Sequence, residues 1–283
     1  MSANSWVTAR RNAKVHVELS GPPQTMLDML YAKALDADAA HPVLGDPYAK
    51  QLVGQLDYDW RKSPITPRWL PAITVRTAQF DIWAGQFLSV HDRPVVLHLG
   101  CGLDSRVFRL DPGPDVEWYD VDYPDVIALR ELLYPSREHY HLVAASATDP
   151  SWLAAIPADR PVLLLAEGVS MYLTKNDGVA LLRRVVERFP AGELQLDFWT
   201  RLAIRSQQKT NRVVRRSGST VQWAVNAPDD ILESVPGVRL MRAVSMFTAD
   251  TVPRLARRYR LFARMASRIP PVRRMIQFHR YAF

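Results

Sequence analysis

The sequence predicts one α/β domain whose core is a parallel sheet built from βα units. From Pro94 onward, short apolar runs alternate with amphipathic stretches, which is typical of such a sheet. Gly100 and Gly102 directly follow the first apolar run, and Asp122 ends the next one, 22 residues beyond Gly100. Glycines let a backbone approach a ligand closely, and a carboxylate at the next strand end can bind ribose hydroxyls. This spacing is typical of a nucleoside-binding unit.

The residues before the sheet are expected to be mainly helical. We predict that residues 1–91 form a helical cap integral to the domain and that residues 92–283 form the ligand-binding core. The predicted cap helices are 25–39, 47–55 and 71–90, where apolar residues recur at helical spacing.

Five parallel strands with intervening helices account for the first part of the core. The predicted strands are 95–99, 116–121, 140–144, 162–166 and 193–198, and the predicted helices are 104–110, 124–133, 151–155 and 175–189. Cofactor and substrate are expected at the carboxyl ends of these strands, near the first.

The chain after the fifth strand has a less regular pattern. Residues 201–235 show no clear period, which predicts a mobile insertion able to form a lid. We predict a helix at 250–262 and a closing edge strand at 277–281.

The glycine turn distinguishes between two kinds of nucleoside ligand. Ser105 occupies the third small position of a GxGxxG pattern, and Asp104 stands where the phosphates of a dinucleotide would lie. Both features argue against NAD and favour a ligand without phosphates, such as S-adenosylmethionine. The two glycines alone could equally serve a tight bend.

Composition sets further limits on the class of protein. The 283 residues are 48% hydrophobic, enough for a sizeable core, and no apolar run reaches membrane-spanning length. His16 and Glu18 interrupt the N-terminal apolar run, so no signal peptide is expected. Cys101 is the sole cysteine, which excludes an intrachain disulfide. We expect a cytoplasmic enzyme without a membrane partner.

The net charge of +7 comes from two late segments. Residues 201–216 carry six cations and residues 254–280 carry nine arginines, both without an acid. The first segment could steer an anionic small-molecule acceptor, contact nucleic acid, or be a solvated face. Nucleic acid is disfavoured because no aromatic residue interrupts 201–216 to stack on bases.

Four segments in this order resemble the leucine carboxyl methyltransferase family, particularly its bacterial branch of polyketide carboxyl methyltransferases. They are Val75-Arg76-Thr77 with Phe80-Asp81, the turn from Leu99 to Arg106, Tyr119 to Pro124, and Glu167 to Tyr172. The resemblance spans about residues 25–200. It implies a class I methyltransferase fold, with a Rossmann-like, mostly parallel sheet of seven strands. It also implies S-adenosylmethionine as methyl donor, S-adenosylhomocysteine as product, and no metal.

The resemblance also implies roles for individual residues. Arg76 matches an arginine that pairs with the methionine carboxylate of the cofactor, a role that a planar guanidinium suits. Gly100 matches the glycine packed against the cofactor, with Gly102 in the same turn, and Asp122 matches the ribose-binding acid. Asp120 is expected only to position the loop.

Further positions carry open alternatives. Glu167 matches a glutamate that binds the cofactor ammonium, or else it caps a helix. Lys33 loosely matches a basic cofactor contact. Thr148 and Asp149 could contact adenine or cap the helix at 151. Tyr172 could hydrogen-bond the accepting oxygen or pack against the sheet.

The sequence therefore predicts an O-methyltransferase, with a small-molecule carboxylate, of polyketide or aromatic type, as the favoured acceptor. A carboxylate is ionised at neutral pH and needs no general base, whereas a phenol does. No histidine stands out as a base, and His98 is expected to be a core residue. The alternatives are a phenol O-methyltransferase, an NAD-dependent oxidoreductase, and a non-catalytic S-adenosylmethionine-binding protein.

Overall fold

The computed structural model describes residues 14–17 and 24–283. The parts of the predicted cap before residue 14 and at 18–23 lie outside this range. So do Glu18 and Leu19 of the N-terminal run considered above.

A seven-stranded sheet forms the centre of the molecule. Strands β1 and β2 form a separate parallel pair, and the large sheet has the order β5-β4-β3-β6-β7-β9-β8. The strand bounds are β1 Val15–His16, β2 Leu56–Asp57, β3 Val95–Leu99, β4 Glu117–Asp122, β5 Tyr140–Ala144, β6 Val162–Ala166, β7 Gly192–Trp199, β8 Arg239–Ser245 and β9 Ile276–Ala282. Strands β3 to β7 are parallel, and β9 is antiparallel to both neighbours. The predicted seven-stranded, mostly parallel α/β fold is thereby confirmed.

Helices cover both faces of the sheet and form the cap. Their bounds are α1 Gln24–Ala37, α2 Pro47–Gln55, α3 Leu70–Val90, α4 Arg106–Leu110, α5 Pro124–Leu133, α6 Ser151–Ala154, α7 Lys175–Arg188, α8 Arg201–Thr210, α9 Arg212–Ser217, α10 Asp229–Ser234, α11 Arg257–Ser267 and α12 Pro270–Arg273. Short 3-10 turns lie at Trp60–Lys62, Ser170–Tyr172 and Val252–Arg254. Among the described residues, no helix is both long and apolar enough to span a bilayer.

The core alternates between the two faces of β3. Val95, Leu97 and Leu99 pack with α6 and α7, whereas Val96 packs with the aromatic residues of α3. The strand is buried throughout because helices cover both faces, as expected for a parallel sheet. Each fully buried aliphatic side chain contributes about 1.5 to 3 kcal/mol to folding. This packing fixes the carboxyl end of β3, where the glycine turn begins.

Two predictions for the C-terminal part were wrong. Strand β9 is not an edge strand, because it pairs with β7 on one side and β8 on the other. Its Phe278 and Tyr281 are fully buried, which fits an inner position. The predicted helix at 250–262 is instead a 3-10 turn followed by α11, which begins at Arg257.

The segment 201–235 has more regular secondary structure than its sequence pattern indicated. Thr200 caps α8 by accepting a hydrogen bond from the amide of Ala203, and Asn211 caps α9 through the amides of Val213 and Val214. The segment contains three helices, and α9 packs against α1 of the cap.

Candidate active site

Two cavities meet at the carboxyl ends of β3 and β6, where the strand order reverses. One extends toward β4 and β5, and the other extends toward the cap and helices α8 and α9. Both are lined by Thr25, Met26, Gly100, Gly102, Gly168 and Tyr172. We call them the β4-side and cap-side cavities. Their shared wall makes one elongated cleft, at the position where α/β sheets bind ligands.

The glycine turn requires residues without a side chain. Gly100 and Gly102 have φ values of +59° and +49°. A Cβ at residue 100 would lie 2.4 Å from Cγ2 of Val169, and one at residue 102 would lie 3.0 Å from Cβ of Met26. The backbone at both glycines is therefore left-handed, and it is closely packed by Val169 and by Met26 of α1.

Asp122 lines the β4-side cavity and holds the glycine turn. Its carboxylate accepts hydrogen bonds from the amides of Gly102 at 2.7 Å and Tyr123 at 2.8 Å. Burial raises the pKa of Asp122, and these amides partly offset the effect. Each carboxylate oxygen keeps a further acceptor site, so Asp122 could also bind two ribose hydroxyls.

Asp120 has a different environment from Asp122. It is fully buried, accepts a hydrogen bond from Nδ1 of His98 at 2.8 Å, and pairs with Arg130. Arg130 also donates to the carbonyls of Gly102 and Asp104, at 2.7 and 2.9 Å. Asp120 thus supports the turn through Arg130 and lies outside both cavity walls.

A charged network lies in the wall of the cap-side cavity. Glu167 accepts hydrogen bonds from Nε of Arg76 at 3.0 Å and from the Thr77 hydroxyl at 2.7 Å, and it pairs with Arg106. Nη1 of Arg76 also donates to Asp197, 3.0 Å away. Burial raises the pKa of Glu167, but the guanidiniums of Arg106 and Arg76 outweigh that effect and hold it at about 2.

This network supplies partners that the sequence did not indicate for Glu167. The family resemblance implied that Glu167 binds the cofactor ammonium. In the structure, the guanidiniums of Arg106 and Arg76 already neutralise the Glu167 carboxylate. Arg106 follows the glycine turn directly, and Asp197 lies on the fifth parallel strand. These positions in the chain were the only sequence signal that the two residues belong to the site. Arg76 is 15% exposed and uses two of its five N–H groups here, so it could still bind a carboxylate.

Lys33 lies in the same cavity wall and is buried. Its Nζ pairs with Oδ2 of Asp104 at 3.0 Å. Burial raises the pKa of Asp104, but Lys33, Arg106 and Arg109 together hold it well below its usual range. The acid that argued against bound phosphates is thus a charged member of a salt-bridge network.

The other predicted residues lie at different distances from the cleft. Thr148 lines the β4-side cavity and its hydroxyl contacts that of Ser146 at 2.9 Å. Asp149 is exposed and absent from that wall, and it accepts a hydrogen bond from the amide of Ser151 at 2.8 Å, at the start of α6. Tyr172 lies where the cavities join, and burial raises the pKa of its hydroxyl.

The far end of the cap-side cavity is mainly apolar. Its apolar wall comes from the segment before α3, from α3 itself, and from α9, β7 and β9; it comprises Ile65, Trp69, Ile73, Trp199, Val213, Val214, Ile276 and Phe278. Arg212 adds a cation. Sequence reasoning missed most of these residues because they come from segments far apart in the chain. The N-cap residues Thr200 and Asn211 are the sequence signal that could have located the starts of α8 and α9.

Comparison with known proteins gives consistent matches. A family model described as leucine carboxyl methyltransferase matches residues 27–186. The tetracenomycin polyketide synthesis O-methyltransferase TcmP of Streptomyces glaucescens is 42% identical over 241 residues, covering 84% of this chain and 89% of that relative. The S-adenosyl-L-methionine-dependent methyltransferase dpfgK of Gibberella zeae is 32% identical over 246 residues, covering 80% of this chain and 83% of its own length.

A solved structure supports the fold independently. A DUF574 family protein from Streptomyces avermitilis matches with a TM-score of 0.55 and 16% identity, covering 89% of this chain and 96% of that one. At this identity the match bears on the fold alone.

Proposed function

The chain belongs to the leucine carboxyl methyltransferase family and is an S-adenosylmethionine-dependent O-methyltransferase, and from that premise we propose that it methylates a carboxylate on a small apolar acceptor. The observation that carries this proposal is the state of the titratable groups around the cap-side cavity. None of them is suited to remove a proton at neutral pH.

Each candidate base in that wall is otherwise engaged. Both ring nitrogens of His98 are hydrogen-bonded, Nδ1 to Asp120 and Nε2 to Arg106 at 3.1 Å. Glu167, with a pKa of about 2, is too weak a base, and burial raises the pKa of the Tyr172 hydroxyl and keeps it protonated. Burial likewise keeps the thiol of Cys101 protonated, by raising its pKa. A carboxylate acceptor is already ionised and requires none of them.

The cleft suits S-adenosylmethionine in shape and in donor set. We propose that Asp122 holds the ribose, that Thr148 and its neighbours contact the base, and that the free N–H groups of Arg76 bind the amino-acid carboxylate. Gly100 and Gly102 bring the backbone close to this ligand, while Glu167 and Lys33 set the charge around it. Among the described residues, the cations at the turn are already paired, Lys33, Arg106 and Arg109 with Asp104 and Arg130 with Asp120, so phosphates would have to break one of these pairs.

The residues of this chain then serve mainly to position the methyl donor and the acceptor. When bound, the cofactor supplies a methyl group whose bond to sulfur breaks as its bond to the acceptor oxygen forms. Tyr172 lies at the junction of the cavities, and we propose that it donates a hydrogen bond to the other carboxylate oxygen. Good alignment of the reacting groups supplies on the order of 7 to 11 kcal/mol of the barrier.

The apolar end of the cavity indicates the kind of acceptor. Its aromatic and aliphatic wall favours a ring system, and Arg212 favours an anion. The relative at 42% identity is named for polyketide synthesis, so we propose an aromatic or polyketide acid as acceptor.

The proposal is tested with acceptors whose carboxyl group is free or blocked. A panel of hydroxylated aromatic acids is supplied to the purified protein both as the acid and as its methyl ester. We expect transfer to the acids only, with kcat/KM nearly independent of pH between 6 and 9. Transfer to the esters, with a rate that rises toward the phenol pKa, would instead favour the phenol alternative.

A further inference from the structure

Helix α11 presents an apolar surface that no other part of the described chain covers. Leu261, Phe262 and Met265 are 58%, 60% and 59% exposed, and Ile269 beyond the helix is 50% exposed. Ala263 and Ala266 are buried and hold the opposite side against the domain. At about 100° per residue, the three exposed residues of the helix lie within an arc of about 100°. They form a stripe beside the buried face.

The same region carries a dense positive charge. From residue 251 to residue 283 the sequence contains no acid. Eight of its arginines are exposed: Arg254, Arg257, Arg258, Arg260, Arg264, Arg268, Arg273 and Arg274. Among the ion pairs of the described residues, only one involves an arginine of this region, and it joins Arg280 to Glu193. The eight exposed arginines around the stripe therefore form no ion pair with an acid of the described residues.

The stripe lies close to the proposed acceptor cavity. Phe262, Leu255 and Phe247 border an open, mainly apolar groove against the start of α3. Ala72 and Met246 line both this groove and the cap-side cavity. A surface bound to α11 would therefore lie beside a groove that shares these two wall residues with the cap-side cavity.

We propose that α11, with residues 268–274, docks on an anionic lipid surface. Such a surface offers both negative head groups for the arginines and an apolar layer for Leu261, Phe262 and Met265. Nucleic acid would satisfy the arginines but leave the apolar stripe in water. The contact is peripheral, because α11 has only 11 residues and cannot cross a bilayer.

The test measures co-sedimentation of the full chain with vesicles. Vesicles of phosphatidylglycerol with phosphatidylcholine are compared with vesicles of phosphatidylcholine alone, at low and at physiological salt. We expect binding to the anionic vesicles only, weakened by salt. The double variant L261S/M265S and the triple variant R257Q/R260Q/R264Q should each bind at least about tenfold more weakly.

A matched control is Val90→Ser, which removes an apolar side chain 71% exposed at the end of α3. It should bind vesicles like the unmodified protein. Circular dichroism and S-adenosylhomocysteine affinity should be unchanged in all variants, which excludes loss of folding. Vesicle binding, circular dichroism and S-adenosylhomocysteine affinity are all measured without the acceptor. The docking proposal can therefore fail while the proposed function stands.

Three results would overturn the proposal. One is equal binding to neutral and anionic vesicles, or no binding to either. Another is binding to duplex DNA or RNA with none to vesicles. A third is a dimer, seen by analytical ultracentrifugation, that dissociates in L261S/M265S, because a second copy would then cover the stripe.

Discussion

At the scale of single residues, two neighbouring acids on β4 have separate roles. Asp120 is buried and bonded through Arg130 to the carbonyls of the glycine turn, whereas Asp122 contacts the turn directly and lines the cleft. The two-residue period of the strand puts both side chains on the same face, but Asp120 lies within β4 beside His98 of β3, whereas Asp122 is the last residue of β4. The expected distinction between a positioning acid and a binding acid came from the family resemblance, because the strand period alone does not separate the two residues.

Replacing Asp122 tests the binding role. Asp122→Asn removes the charge and one of the oxygens that accept from Gly102 and Tyr123. We expect S-adenosylhomocysteine to bind about 10- to 100-fold more weakly by calorimetry, as a lost hydrogen bond to a charged group predicts. Asp125→Asn, the same change at an exposed position, should leave the affinity unchanged. Equal affinities for both variants would refute the assignment.

Glu167 predicts a specific pH dependence of stability. Its folded pKa of about 2 lies below its ordinary value of 4.5, so its ion pairs stabilise the fold above pH 4.5 and are lost as pH falls toward 2. Glu167→Gln lacks this titration. The free energy of unfolding of the unmodified protein relative to the variant should fall by on the order of 3 kcal/mol between pH 5 and pH 2. A pH-independent difference in denaturant titrations would contradict this.

At the scale of elements, the cap and the helices after β7 are tied together beside the acceptor cavity. Arg216 of α9 donates to the carbonyl of Lys62 and, at 2.6 Å, to the hydroxyl of Tyr58. These contacts join segments more than 150 residues apart, which a sequence pattern does not reveal. The βα repeats were predictable because each shows its own period, whereas the exposed edge strand β8 shows no alternation of burial.

Loss of the Arg216 contacts should loosen α8 and α9. In Arg216→Ala we expect hydrogen exchange in residues 201–217 to accelerate about 30-fold, because two hydrogen bonds of about 1 kcal/mol each are removed. Arg215→Ala removes an exposed neighbour whose side chain makes no hydrogen bond or ion pair with the described residues of the cap, and it should leave exchange unchanged. Exchange that is equally slow in both variants would show that other contacts hold these helices.

At the scale of the whole molecule, the cleft combines a local part with an assembled part. The proposed nucleoside end comes from consecutive βα units, so Gly100, Asp122 and Thr148 could be located from spacing and resemblance. The proposed acceptor end is assembled from the cap, α9, β7 and β9, and the sequence contains no motif that joins them. The methyl donor was therefore predictable, whereas the shape of the acceptor cavity required the structure.

The most direct test of the central claim is the chemical nature of the methylated product. The protein is incubated with S-adenosylmethionine carrying a radiolabelled methyl group and an extract that contains its natural acceptor, and the product is treated with mild alkali. A carboxyl methyltransferase yields an ester, so we predict that the label is released as volatile methanol. Label that remains bound to the product under alkali would identify an ether and contradict the proposed function.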